Sequence, residues 1–295
     1  MRLDPVSLKL FVAVVETGTI AAAAEREHTA ASAISRRISD LEAILKTSLL
    51  RRTNKGVEPT ASGLALLNLA RGVLHSLDEI GVQMADYSTG VRGQVRVAAN
   101  LSAITQFLPG EIKQFLVMHP QVQVHLEELI STRVTKAVAE NQADIGIFAH
   151  VPYGQDVETY PYRSDHLVLI APRGHPLAER THVCFDEALE YEFVGLHTGS
   201  AINLQLVKAA TELERTVHMR IQVTSYEALC LMVETGLGLG VLPEAVARRY
   251  LGTLGIVRIA LDEPWAEREL KLCARSYSAL PVAARLLLDH LRQAG

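Results

Sequence analysis

The sequence predicts an α/β protein in which a small helical head and a long linker helix precede a larger body. Three short stretches of helical apolar spacing fill residues 5–45, and a longer one follows a basic turn. From residue 91 onward, short apolar runs alternate with helical stretches. This alternation is typical of strand–helix units that build largely parallel sheets with helices on both faces.

The charge of the chain is unevenly distributed. The formal net charge of the 295 residues is -4. The segment from Arg26 to Lys55 contains seven Lys or Arg and three Asp or Glu, for +4, so the other residues carry -8. A compact basic segment on an acidic body is typical of a small DNA-binding module.

Other sequence signals concern location and chemistry. We find neither a secretory signal nor the ~18 apolar residues of a membrane helix, and therefore expect a cytoplasmic protein. Cys184, Cys230 and Cys273 are widely spaced and predict reduced, buried thiols, with a redox-sensing pair as the alternative. We expect no metal, cofactor or catalysis, because no H-E-x-x-H, clustered Cys/His or G-x-S-x-G pattern occurs.

The first three helical patterns predict a helix-turn-helix. Asp4 and Pro5 favour a helix start, Gly18 favours its end, and Thr19 can cap a second, alanine-rich helix. A turn at residues 29–31 leads to a third helix. In a helix-turn-helix, this third helix enters the major groove of DNA. Its predicted buried residues are Ile34, Ile38, Leu41 and Leu45.

The open side of the third helix carries serines and arginines, where a solvated helix usually has mixed Glu and Lys. Small hydroxyls allow close approach to DNA, and arginine binds guanine or phosphate. The alternative is a plain three-helix bundle with a basic solvated face. The predicted DNA contacts of this helix are Ser32, Ser35, Arg36, Arg37 and Ser39.

A basic hairpin and the long helix follow. Asn54-Lys55-Gly56 predicts a hairpin tip, because Asn and Gly tolerate positive φ. Arg51, Arg52 and Lys55 on this wing would neutralise flanking phosphates, and a solvated basic turn is the alternative. The helix begins at Thr60, and its near-heptad spacing predicts a dimer contact, with an ordinary core helix as the alternative. That spacing is formed by Leu64, Leu67, Ala70, Leu74, Leu77 and Met84.

In the body, four strand ends carry polar residues that can cap helices. Ligands of such sheets bind beyond the carboxyl ends of the strands, against helix N-termini. Convergence of these ends predicts a polar ligand site, although each residue can equally cap only its own helix. The four ends are Asn100 with Ser102, Ser131 with Thr132, Thr198 with Ser200, and Thr224 with Ser225.

The chain resembles LysR-type transcriptional regulators. The head carries an A-x-S-R-R-I-x-x-L-E-like third helix and an L-L-x-R-T-x-x-G-V-x-x-T-x-x-G wing, and GQVRVA, NQADIGIF and MVETGLGLGVLP resemble the family's effector domain. The resemblance implies three parts: a winged helix-turn-helix at 1–59, a linker and dimerisation helix at 60–90, and a two-lobed, periplasmic-binding-protein-like effector domain at 91–295. Lobe one would comprise 91–163 plus 267–295, and lobe two 164–266.

The resemblance also implies a function. The chain would bind double-stranded operator DNA as a homodimer or homotetramer, and a small organic effector, expected to be a carboxylate, would alter head placement and DNA bending. A cytoplasmic small-molecule-binding protein with a non-functional head is the alternative. Carried over by position, the effector cleft would be lined by Asn100, Ser102, Thr132, Phe148, His150, Thr198, Ser200 and Ser225.

Two residues depart from the family pattern in the head. Glu27 occupies a position that is usually apolar, and its burial would be unfavourable unless the carboxylate is paired or reaches solvent. Ala30 replaces the usual serine cap of the third helix. We expect this loss to cost ~1 kcal/mol unless Thr29 takes over the capping role.

Overall fold

The computed structural model describes residues 3–53, 56–89, 92–149 and 157–293. The Cα positions group into two compact units. The first is Met1–Gly90 with Glu140–Gln142, and the second is Val91–Ala139 with Ala143–Gly295.

The head contains three helices, a two-stranded wing and the start of the long helix. The elements are α1 (Pro5–Thr17), α2 (Ile20–Arg26), α3 (Ala31–Leu45), β1 (Leu50–Thr53), β2 (Gly56–Pro59) and α4 (Ala61–Thr89). Asp4 caps α1 by accepting a hydrogen bond from the Ser7 N–H, and Thr19 caps α2 in the same way. Gly18 ends α1 in the left-handed conformation, at φ 74°. These local predictions are confirmed.

The core of the head forms where α1, α3 and α4 meet. Phe11 and Ile34 are fully buried, and Leu41 is almost fully buried. The wing is attached to the turn after α1, because the Val57 N–H donates to the Gly18 carbonyl at 2.8 Å. A Cβ atom at Gly56, where φ is 135°, would lie 2.3 Å from that carbonyl oxygen. Only glycine fits this contact.

The body consists of alternating strands and helices. Its elements are β3 (Gly93–Ala99), α5 (Leu101–Gln106), α6 (Leu108–Met118), β4 (Val122–Glu128), α7 (Ser131–Ala139), β5 (Ile145–Ala149), β6 (Glu158–Pro172), β7 (His182–Val183), α8 (Phe185–Ala188), β8 (Phe193–Leu196), α9 (Ala201–Glu212), β9 (Met219–Val223), α10 (Tyr226–Glu234), β10 (Leu239–Pro243), α11 (Glu244–Tyr250), β11 (Ile256–Leu261), β12 (Glu267–Ala274) and α12 (Val282–Gln293).

The body has two lobes, each built around its own part of the sheet. In lobe one the strand order is β4-β3-β5-β12, continued by the first part of β6. Residues of β5 alternate between two cores: Ile145 and Ile147 pack beneath α12, whereas Phe148 packs beneath α7. In lobe two, the second part of β6 lies between β10 and β11. A separate apolar core fills this lobe.

Two crossings join the lobes. Strand β6 pairs with β12 from Glu158 to His166 and with β10 and β11 from Leu167 onward, so it passes from one lobe into the other between His166 and Leu167. The chain returns to lobe one at Glu267, where β12 begins. The fold is therefore the predicted winged helix-turn-helix, linker helix and two-lobed α/β body.

The structure differs from the sequence expectations in three respects. The sheets are mixed, because β6 and β12 run antiparallel to their neighbours. One of the helical stretches between the apolar runs predicts a continuous helix over 102–118, but this helix is split at Phe107, since Pro109 lacks an N–H and its ring obstructs the preceding turn. Of the three thiols, Cys230 and Cys273 are buried, which raises the pKa of each to about 12, but Cys184 is exposed.

Candidate DNA interface and effector cavity

Helix α3 separates its buried and open sides cleanly. Ile34, Ile38 and Leu41 point into the head core. The opposite side carries four of the five predicted DNA contacts, at helical positions i, i+3, i+4 and i+7. Ser32, Arg36 and Ser39 are exposed, and Ser35 is half-buried. Within the described part of the chain, Arg36 forms no ion pair.

Arg37 occupies a different side of α3. It follows Arg36 by one residue, which turns its direction by about 100° around the helix axis. Its Nη1 donates to Ser7 Oγ at 3.1 Å and to Asp4 Oδ1 at 3.3 Å. The pKa of Asp4 is lowered, chiefly by the Ser7 hydroxyl and secondarily by the Ser7 N–H, with a smaller effect from Arg37. Arg37 thus also connects α3 to the start of α1.

The structure describes the side chain of one of the three predicted DNA-contacting residues of the wing. Arg51 is exposed and lies opposite Glu58 in the β1–β2 register, with its Nη2 2.6 Å from Glu58 Oε2. The side chain of Arg52, and Lys55 with the predicted hairpin tip at 54–55, lie outside the described residues. The antiparallel pairing of β1 and β2 agrees with a hairpin at this position.

The two residues that depart from the family pattern have different surroundings. Glu27 is largely buried, and Lys9 Nζ lies 2.7 Å from its Oε2, so its carboxylate is paired. Ala30 is the N-cap residue of α3 and provides no side-chain hydrogen bond. Thr29 does not substitute for a cap, because its hydroxyl donates to the Glu27 carbonyl. The first turn of α3 is therefore left without a side-chain cap.

The body contains a cavity of about 350 Å³ between the two lobes. Three helix N-termini border it: α5 and α7 from lobe one and α9 from lobe two. Apolar residues provide much of the wall, among them Leu129, Ile130 and Leu196. Helix N-termini carry unpaired N–H groups and positive partial charge, so the site favours an anionic or acceptor group.

Four of the predicted effector residues line this cavity: Asn100, Ser102, Thr198 and Ser200. Asn100 caps α5, and its Nδ2 donates to Ser131 Oγ, which in turn accepts from the Ala149 N–H. Ser200 caps α9. These residues therefore hold the strand–helix junctions in place as well as bordering the cavity.

Three of the remaining predicted residues, Phe148, Thr132 and Ser225, do not line the cavity. Phe148 packs into the core beneath α7, because successive residues of a strand point to opposite faces. Thr132 is exposed on α7, one position beyond the cavity-lining Ser131. Ser225 caps α10 by accepting from the Ala228 N–H. His150 lies outside the described residues.

The floor of the cavity holds two residues that the sequence analysis did not identify, Tyr226 and Arg268. Ser102 Oγ, on α5, and Tyr226 Oη, on α10, are 2.9 Å apart, so this hydrogen bond joins the two lobes. Burial raises the pKa of Tyr226 to about 12, and its hydroxyl is therefore protonated at neutral pH. No strand was predicted at 267–274, so the sequence did not indicate that Arg268 lines the cavity.

The charged residues of the cavity lie at two depths. Arg133 and Glu128 are exposed at the rim, whereas Arg268 is buried at the floor beside Asp165. Gln106 also donates to Asp165, at 2.9 Å. The interior charge is thus largely balanced.

Sequence models of two families match this chain. The model described as "Bacterial regulatory helix-turn-helix protein, lysR family" matches residues 6–64, and "LysR substrate binding domain" matches residues 88–295. The chain therefore belongs to the LysR family: it is a DNA-binding transcriptional regulator with an effector-binding domain. The proteins of this family are regulators and not enzymes.

Individual relatives share nearly the whole chain. The HTH-type transcriptional regulator YbhD of Escherichia coli (strain K12) is 28% identical over 284 residues, covering 96% of this chain and 89% of that protein. The "Probable HTH-type transcriptional regulator LrrA" of Synechococcus elongatus is 31% identical over 245 residues, covering 81% of each.

Solved structures share the fold. Full-length OxyR from Pseudomonas aeruginosa has a TM-score of 0.77 at 21% identity, covering 99% of this chain and 95% of that chain. CbnR complexed with its target DNA has a TM-score of 0.70 at 22% identity, covering 99% of this chain and all (100%) of that one.

Among the described residues, no single helix is long and apolar enough to span a membrane. Helices α1 and α2 pass that test only when taken together, and they are bent by 118° relative to each other. Their apolar residues, including Phe11, Val14 and Ala23, are buried in the head core.

Proposed function

We propose that this protein is a ligand-responsive regulator whose head binds operator DNA through α3 and the β1–β2 wing. Residues 1–59 would form the head, residues 60–90 the linker, and residues 91–295 the effector domain. The proposed DNA contacts of α3 are Ser32, Ser35, Arg36 and Ser39, with Arg37 at the edge of the surface. Arg51, Arg52 and Lys55 would contact flanking phosphates.

The observation that carries this proposal is the open side of α3. Four small or cationic polar residues lie together on it, and the opposite side is fully packed. CbnR, a regulator with the same fold, has been crystallised in complex with its target DNA. The paired Glu27 removes one reason for regarding the head as non-functional, because its carboxylate is not left uncompensated in the core.

We propose that the protein acts as a dimer or a dimer of dimers joined through α4. Leu67 and Ala70 of the predicted heptad are buried against the head, and Leu74 also packs there. A second row of apolar residues runs along the exposed side of α4: Leu69, Val73, Leu77 and Ile80. This exposed row, which shares Leu77 with the predicted heptad, is the proposed seam between protomers.

We propose further that a small organic effector binds in the cavity between the lobes and changes DNA bending by altering the placement of the heads. The convergence of three helix N-termini supports an effector that carries a carboxylate. The effector domain of QuiR, solved in complex with shikimate, has the same fold, with a TM-score of 0.63. An effector acts only if it binds the two lobe arrangements with different affinity.

A gel-shift experiment tests DNA binding. DNA from upstream of the protein's own gene should be retarded, and the retardation should weaken steeply as salt is raised, because phosphate contacts release counterions. An absence of salt-sensitive retardation would instead favour a small-molecule-binding protein with a non-functional head. A thermal-shift screen of small organic acids tests the cavity, since a bound ligand raises Tm by mass action.

A further inference from the structure

Arg268 and Asp165 lie where the chain crosses between the lobes. They are directly paired in the β12–β6 register. Asp165 precedes by two residues the point at which β6 enters lobe two, and Arg268 is the second residue of the strand that returns to lobe one. Only 9% of the Arg268 side chain and 2% of the Asp165 side chain are exposed. This ion pair therefore connects the two crossings inside the protein.

The guanidinium of Arg268 is only partly satisfied. Its Nε donates to Asp165 Oδ1 at 2.8 Å, and its Nη2 donates to Asp165 Oδ2 and, at 3.2 Å, to Ser102 Oγ. Its Nη1 is buried and has no acceptor among the residues the structure describes. A buried N–H group without an acceptor is unfavourable, and Arg268 lines the cavity. A turn of the guanidinium that brings Nη1 to an acceptor of a ligand in the cavity would therefore be favourable.

We propose that Arg268 determines the specificity of the cavity by binding, through Nη1, the carboxylate of a small acid with a compact apolar body. This inference rests on the proposed effector function of the cavity. The apolar body would contact Leu129, Ile130 and Leu196, which line the same space. Asp165 balances the charge of Arg268, and Glu128 balances that of Arg133 at the rim, so the site has no net positive charge and a monoanion suits it better than a phosphate or a dicarboxylate.

Binding at Arg268 would also act on the arrangement of the lobes. A carboxylate at Nη1 draws the guanidinium away from Asp165 and from Ser102, which accepts from Nη2. Ser102 in turn bonds Tyr226 across the cavity. The ligand therefore changes the hydrogen bonding of Ser102, through which α5 bonds to lobe two, and would have different affinities for the joined and separated arrangements of the lobes.

The test compares cyclohexanecarboxylate with its neutral analogue cyclohexanecarboxamide by titration calorimetry on the full chain. The wild type should bind the acid at least about ten-fold more tightly than the amide, because charge-assisted hydrogen bonds are the stronger kind. Arg268→Lys keeps a cation beside Asp165 but lacks the second fork nitrogen, and should reduce this preference to about three-fold or less. Arg248→Lys, at an exposed arginine of α11 that does not line the cavity, is the matched control and should leave it unchanged.

A second measurement needs no variant. In the wild type, the acid but not the amide should slow amide hydrogen exchange in the peptide spanning residues 267–272. Equal binding of the two probes, an unaltered preference in Arg268→Lys, or protection elsewhere would overturn the role of Arg268 and leave the cavity as a binding site. Binding of neither probe below about 10 mM would overturn the inference and count against the cavity as well. A gel shift on the same samples reports DNA binding separately.

Discussion

Single residues in the head show how local chemistry adjusts a shared fold. Glu27 is accommodated because Lys9 provides a counter-charge at 2.7 Å. Ala30, by contrast, has no substitute, since the hydroxyl of its neighbour Thr29 is engaged with a backbone carbonyl. The first departure is compensated by an ion pair, and the second leaves an uncapped helix end that a substitution can improve.

The first prediction concerns this uncapped end. Ala30→Ser should raise the free energy of unfolding of the head by about 1 kcal/mol, because a serine hydroxyl in the extended N-cap conformation accepts an N–H from the first turn. Chemical denaturation of wild type and variant measures the difference. Ala33→Ser, on the first turn of the same helix, serves as a control without capping geometry. An equal gain in both variants would contradict the capping explanation.

The second prediction separates two neighbouring arginines. Arg36→Ala should weaken operator binding by about 1–3 kcal/mol with little change in Tm, because its side chain is exposed and forms no ion pair within the described residues. Arg37→Ala should also lower the stability of the head by up to about 1 kcal/mol, since it loses contacts to Asp4 and Ser7. Gel shift and thermal melting measure the two effects. A fall in Tm for Arg36→Ala would show that this arginine supports the core.

Among the elements, helix α4 carries apolar residues on two different sides. One side carries Leu66, Leu67 and Ala70 into the head core, and Arg71 donates to Glu16 of α1 at 3.1 Å. The other side exposes a row from Leu69, 69% exposed, to Ile80, 58% exposed. A single heptad pattern does not describe such a helix, because its apolar residues lie on two separate sides.

The third prediction tests the exposed row of α4. Leu77→Glu should raise the dimer dissociation constant by about 100-fold, since a carboxylate buried at an apolar seam loses its hydration. Sedimentation velocity measures the dissociation constant. Asn68→Glu adds the same charge at an exposed position nine residues earlier, on the opposite side of α4, and should leave the dimer intact. Dimers of unchanged stability in both variants would place the protomer contact elsewhere.

In the whole body, the two lobes are joined by two chain crossings and by polar contacts at the cavity floor. Ser102 takes part in both kinds of contact, since it bonds Tyr226 across the cavity and accepts from Arg268 at a crossing. A polar group of a ligand can replace one partner in hydrogen bonds of this sort, but it cannot replace the apolar packing within the cores of the lobes. In the proposed mechanism, the lobes would therefore change their arrangement without repacking of their cores.

The fourth prediction addresses the contact across the cavity. Tyr226→Phe keeps the buried ring and removes only the hydroxyl, so the joined arrangement should lose about 1 kcal/mol. Amide hydrogen exchange in α5 should then quicken about five-fold. Tyr250→Phe, in the same lobe and without a described bond between the lobes, is the control. Unchanged exchange in Tyr226→Phe would show that this hydrogen bond does not hold the lobes together.

Local signals in the sequence predict many of the helices and strands. Asp4, Gly18 and Thr19 predict the helix ends of the head because caps and left-handed turns depend only on adjacent residues. The short apolar runs QVRVAA, VQVHLEEL, ADIGIFA, EFVGLH, IQVT and GLGVL likewise predict β3, β4, β5, β8, β9 and β10. Strand β12 and helix α12 were not predicted, and β6 proved longer than its apolar run, since the pairing of polar strand segments depends on partners distant in the chain.

The candidate DNA interface and the cavity likewise contain some features that the sequence predicts and others that it does not. The sequence was enough to predict the open face of α3 and four polar residues at the ends of strands, because each depends on spacing within one helix or on one strand–helix junction. These four residues are Asn100, Ser102, Thr198 and Ser200. Three features could be seen only in the tertiary structure. They are the direction of the Phe148 side chain, the side of α4 that is exposed, and the pairing of Arg268 with Asp165. Those features depend on which face of an element another element covers, and packing between distant segments sets that choice.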